Sequence, residues 1–171
     1  MKIKWNWVLL ILVLVLSATI LFLQFKKSKT AYIDLSTLYK EFTLKKELEA
    51  KLLVVQQQRT EILDSLELEL KILAKQLDDG GDKEKRSIYN VKKETYLLKA
   101  KEFEEDNETL ITQYDEQIWK QLNQYVKDYG SSKNYEYIFG VTGDGVLMYA
   151  NEGNDITDKV KEYVNAKYQG E

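Results

Sequence analysis

The chain has 171 residues, with 25 Lys and Arg against 28 Asp and Glu, and it contains no Cys, His or Pro. That inventory excludes disulfides, redox thiols, thiolate or imidazole metal sites, and any catalysis built on a histidine base. Five Lys and no acid fall in the first thirty positions, leaving 20 basic and 28 acidic residues in the rest; an acidic body is a poor electrostatic match for nucleic acid or anionic lipid.

From Trp5 to Phe25 no residue is charged. As a helix this run spans roughly 30 Å, one hydrocarbon core. Trp5, Trp7 and Phe25 stand near its ends, where interfacial aromatics are favoured. Two readings compete: a cleaved signal peptide with Lys2 and Lys4 as its basic start, or an uncleaved signal anchor. The only small-residue cluster is Ser17-Ala18-Thr19, and cutting there would leave Ile20 to Leu23 as an apolar tail. This favours the anchor, with the body exported. Lysines flank both ends, so charge alone does not orient the segment.

Thr30 to Leu35 alternates Ala31, Ile33 and Leu35 with Tyr32 and Asp34, the period of a strand. Ser36 or Thr37 offers a helix cap. A helix of about 40 residues follows, from about Leu38 to Leu77. Leu44, Leu48, Leu52 and Val55 form one register, and Leu63, Leu66, Leu70, Leu73 and Leu77 another, with a phase shift between them. Asp78-Asp79-Gly80-Gly81-Asp82 then reverses the chain. A second helix of matching length is expected over about 83–129, its seam formed by Ile88, Val91, Leu98, Leu110, Ile111, Tyr114, Ile118, Leu122, Tyr125 and Tyr129. The stretch 99–109 keeps only Ala100 and Phe103 as apolar residues; it reads either as an ordinary solvated stretch or as a weakly packed level where the arm can bend.

After Gly130, the alternation through Tyr135, Tyr137, Phe139 and Val141 predicts a strand. Thr142-Gly143-Asp144-Gly145 predicts a four-residue turn, and Val146 to Ala150 a returning strand. A last helix over about 157–168 carries Val160, Tyr163, Val164 and Tyr168 on one face, capped by Asp155 or Thr157. The fold class is therefore mostly α with a small β body. Residues 1–29 form a membrane anchor or signal segment and 30–171 one exported unit, in which 38–129 is a coiled-coil hairpin and 30–37 with 130–171 the body.

Ala31-Tyr32-Ile33-Asp34-Leu35 with Leu38-Tyr39, Tyr137-Ile138-Phe139 with Val146-Leu147-Met148-Tyr149, and Asp155 to Val160 resemble the Skp (OmpH) family of periplasmic chaperones. The resemblance implies a homotrimer whose helical hairpins project as tentacles around a cavity. Unfolded outer-membrane or periplasmic proteins would be held there without ATP. It further implies that Tyr32, Ile33, Leu35, Phe139, Val141, Val146 and Met148 build the trimer body, with Tyr96 and Phe103 as client-facing candidates. The expected protein is periplasmic, tethered to the inner membrane, without enzymatic activity, cofactor or metal. Two features depart from the family: its characteristic basic tentacle tip is replaced here by an acidic one, and its members are often basic and released by signal cleavage. The competing reading is a single-pass coiled-coil scaffold of the envelope, which would not need the closing strands and helix. Thr142 to Gly145 lacks the ligand spacing of a calcium loop, and the 12 Tyr are not interleaved with a basic patch.

Overall fold

A computed structural model of the chain describes residues 2–25, 29–80, 82–143, 145 and 147–171, and within the first helix the side chains of residues 7–19. That helix, α1, runs Lys2–Phe25. Its residues Trp7 to Leu16 are all exposed. The hydroxyls of Ser17 and Thr19 donate to the carbonyls of Leu14 and Leu16 at 2.9 and 2.8 Å, so neither needs a partner outside the helix. Among the described residues no helix is long and apolar enough to cross a membrane, and the expected membrane-spanning anchor is without structural support there.

The body begins with β1 (Thr30–Asp34), which leads directly into α2 (Leu35–Glu41). Asp34, rather than Ser36 or Thr37, is the cap: its Oδ1 accepts from the N–H groups of Ser36 and Thr37 at 2.9 and 3.2 Å. The expected unbroken helix to Leu77 is interrupted at Phe42, which is extended (φ −72°, ψ 126°) between α2 and α3 (Thr43–Asp78). The break has a packing cause. Phe42 is fully buried, with the rings of Tyr125 and Tyr168 edge-on to it at 6.3 and 5.7 Å. Asn165 bridges the gap: its Oδ1 accepts from Thr43 N–H at 2.8 Å and its Nδ2 donates to the Glu41 carbonyl at 3.2 Å.

Gly80, at φ +105°, ends the first arm, and Asp82 caps α4 (Lys83–Ser132) by accepting from Lys85 N–H at 3.0 Å. α3 and α4 pack along one another as the expected helical hairpin. β2 (Tyr137–Val141) then pairs with β1 in parallel, with Tyr32 opposite Phe139 and Asp34 opposite Val141. α5 (Thr157–Gln169) closes the chain. Asp155 Oδ1 accepts from Thr157 N–H at 2.8 Å, while Thr157 Oγ1 accepts from Asp34 N–H at 2.9 Å.

The expected hairpin in the body is corrected. The described residues hold a two-stranded sheet, and Leu147 to Ala150 carry no strand pairing. In that segment Leu147 and Ala150 are partly covered, but Met148 is 88% and Tyr149 83% exposed. A ribbon without a packed face is marginal in water. The far edge of β1 is taken instead by the bridge from Tyr32 to Asp155, with Ile156 N–H donating to the Tyr32 carbonyl at 3.0 Å. The core lies where sheet, α5 and the base of the hairpin meet: Ala31, Ile33, Leu38, Phe42, Ile118, Leu122, Tyr129, Ile156, Val160 and Val164.

Candidate interaction surfaces

The hairpin seam decides which apolar residues remain available. In α3 the partly buried positions run Leu52, Val55, Arg59, Leu63, Leu66, Leu70, Leu73 and Leu77. The phase shift expected between Val55 and Leu63 is thus a continuous seam whose middle position is an arginine. A polar residue at that position breaks the leucine spacing without breaking the seam.

Arg59 reaches across to α4. Its guanidinium donates to the Phe103 carbonyl at 3.4 Å and to Asn107 Oδ1, pairs with Asp106 at 3.2 Å, and lies 5.3 Å from the centre of the Phe103 ring. Lys99 Nζ stands 5.2 Å from the same ring. The stretch 99–109, expected to be a loosely paired bend, is therefore cross-linked to the first arm by one residue. Phe103, expected to face a client, is half-buried beside Arg59.

The seam of α4 also differs from its expectation. Leu110, Tyr114, Ile118, Leu122, Tyr125 and Tyr129 do face the hairpin or core. Beyond Leu110, however, the inward residues are Asn107, Phe103, Ala100, Tyr96, Lys92 and Tyr89. Tyr96 is half-buried in this series. Lys92 crosses to Glu69 on α3 at 2.6 Å. Ile88, Val91, Leu98 and Ile111, expected in the seam, are 44%, 60%, 63% and 42% exposed. Toward the tip, aromatic and polar residues rather than this arm's leucines and β-branched residues occupy the inward face. On α3, Leu53, Val54, Ile62, Leu68 and Ile72 are exposed as well. Both arms thus present large apolar side chains to solvent along much of their length.

A second surface lies on the sheet. Parallel register puts Tyr32, Phe139 and Val141 on the face away from the core, and Phe139 is half exposed. Tyr137 stacks on Phe139 with centroids 6.0 Å apart. Tyr32, Phe139, Leu147 and Tyr149 line a cleft of about 360 Å³ there. Ile33 points the other way and is buried in the protomer's own core, and Leu35 packs over Gly140. Val146 lies outside the described residues. At the base of the hairpin, Tyr39 stacks on Trp119 at 5.0 Å and donates to Asp115; burial, then that carboxylate, pushes its phenol well above the ordinary value.

A small mixed body carrying a long, outward helical hairpin, with apolar side chains exposed on both, defines a protein built for contact. A family profile described as "Outer membrane protein (OmpH-like)" matches residues 29–164, and the chain belongs to this OmpH-like family. Among solved structures it is similar to a candidate outer membrane chaperone (OmpH-like) from Caulobacter crescentus. The TM-score is 0.65 at 18% identity, covering 82% of this chain and 86% of that one. No curated protein matches the sequence.

Proposed function

We propose that the protein is an ATP-independent holdase that keeps unfolded outer-membrane proteins from aggregating in the periplasm. The observation that carries this reading is the exposure of Leu53, Val54, Leu68, Ile72, Val91, Leu97 and Leu98 on the two arms, each at least half open to solvent. Soluble proteins rarely leave so much apolar surface uncovered without a partner for it. Spread along a hairpin, these side chains offer many shallow contacts and no deep pocket, which suits chains without fixed structure. Family membership and the likeness to the Caulobacter fold support the same reading. The proposal includes a homotrimer joined through the outer face of the sheet, and retention at the inner membrane through residues 5–25. The charge-free run in the sequence is what suggests that retention.

Light scattering tests the holdase. An outer-membrane β-barrel protein diluted from urea should stay dispersed with the full chain present and no nucleotide. Val91→Glu with Leu98→Glu should raise scattering several-fold while leaving helical circular dichroism unchanged. Aggregation undiminished by the wild-type chain would overturn the holdase and favour the envelope scaffold.

A further inference from the structure

The body carries a cleft that neither the arms nor the sheet face uses. It lies beside the C-terminal end of α4, has a volume of about 600 Å³, and is lined by Lys29, Lys133 and Lys159 together with Tyr129, Tyr135, Tyr163 and Glu162. Three lysines and three tyrosines line it beside a single acidic residue, in a chain whose charge after residue 30 is otherwise strongly acidic. Among the described residues none of these lysines has a carboxylate within 4.0 Å, whereas the neighbouring Lys161 is held by Asp158 at 2.7 Å. The three tyrosines pack on one another, Tyr129 to Tyr135 at 6.2 Å and Tyr129 to Tyr163 at 5.2 Å. Among the described residues none of their hydroxyls donates a hydrogen bond to the protein. The lysines and tyrosines of the wall thus bring mainly donor groups that have no carboxylate partner.

A helix C-terminus would ordinarily repel an anion. Here that end is already covered. The N–H groups of Lys133, Asn134 and Tyr135 turn back to the carbonyls of Tyr129, Ser131 and Gly130 at 3.0, 3.3 and 2.9 Å. Lys29 Nζ donates to the Lys133 carbonyl at 3.2 Å while lying 3.9 Å over the Tyr135 ring. Lys29 is thereby held in place and keeps N–H capacity for a further acceptor. We infer that this cleft binds a phosphate oxyanion, whose several acceptor oxygens match ammonium and phenol donors. Lys29 follows the charge-free run by four positions, so the source is either a phospholipid headgroup or a free phosphate. The inference is independent of whether the protein is a holdase.

Titration calorimetry of the full chain in neutral detergent decides it, with inorganic phosphate in one arm and short-chain phosphatidylglycerol in the other. One ligand per chain, weakened by added salt, is expected in at least one arm. Phosphate binding alone assigns a free oxyanion, phosphatidylglycerol alone assigns a headgroup, and binding in both arms assigns the shared phosphate. Lys133→Gln with Lys159→Gln should weaken binding about tenfold or more, since each removes a charged hydrogen-bond donor. Both residues are exposed, so the fold should survive. Lys120→Gln with Lys127→Gln, exposed on α4, should leave binding unchanged. No heat in either arm through the millimolar range, or equal loss in both double variants, would overturn the site.

Discussion

Arg59 stands in the middle of a leucine seam, and its partners tell what it does there. It gives up water to meet Asn107, Asp106 and the Phe103 carbonyl, and Asp106 stays more than half exposed, so the ion pair itself adds little. Arg59→Ala should cost about 1–2 kcal/mol, from the lost hydrogen bonds and the half-buried Asn107 left without a donor. Replacing both partners by apolar residues should do better than either, because a paired polar network in a seam often contributes less than packed leucines. Arg59→Leu with Asn107→Leu should therefore melt above the wild type, as read by thermal circular dichroism; a double variant melting below Arg59→Ala would refute this account. Asp34 makes a different residue-scale claim. The Thr37 hydroxyl and the backbone N–H groups hold its carboxyl below the ordinary value of 3.8. A depressed folded pKa means its stabilisation is present above pH 3.8 and is lost as pH falls through the lower, folded value. Asp34→Asn should flatten that acid limb of stability against pH. Gly140 is fixed by space: an added Cβ would lie 2.6 Å from Leu35 Cδ1. Gly140→Ala should destabilise by about 1–3 kcal/mol, and Leu35→Ala should recover part of the loss when combined with it, a coupling that urea titration of the four variants measures.

Among the elements, the long helices were legible because their period repeats over many turns and two glycines mark the reversal. The register of the second arm was not, since Tyr, Lys and Asn hold its seam while Ile88, Val91 and Leu98 face out. Hydrophobic patterning assumes that the apolar side is the buried side, and the exposed apolar side chains of this arm violate that assumption. The break at Phe42 was equally hidden, because it comes from two rings and an asparagine more than eighty residues away. The returning strand after Gly145 failed for the opposite reason: the local pattern was present and no packed partner was. The mid-arm clamp sets an order of opening that hydrogen exchange can read. Amides near 103–107, beside Arg59, should exchange more slowly than those near 84–95, where the hairpin ends. Arg59→Ala should bring the two levels together. Faster exchange at 103–107 in the wild-type chain would restore the loosely paired bend that the sequence suggested.

For the whole molecule, the core leaves one face unresolved in energetic terms. Tyr32, Tyr137, Phe139 and Val141 share the outer side of a two-stranded sheet, with Met148 and Tyr149 exposed in the segment beyond it. Aromatic side chains bury on the order of 150–250 Å² each, so a few from each copy approach the roughly 800 Å² per partner typical of stable association. Ile33 and Leu35 are committed to the protomer's own packing, which leaves Tyr32, Phe139, Val141 and Met148 as the residues of the proposed contact. This division separates folding from assembly. Phe139 is half exposed in the single chain, so Phe139→Asp should leave helix content and core packing nearly intact. Between copies the same carboxylate would be buried among aromatic rings without a partner, at a cost of several kcal/mol. Sedimentation equilibrium of the full chain in density-matched detergent should give a trimer for the wild type and a folded monomer for Phe139→Asp at micromolar concentration. A wild-type chain that is folded and monomeric there would remove the oligomer from the proposal. Client holding by that monomer, measured by scattering, would then show that the arms act without a cage.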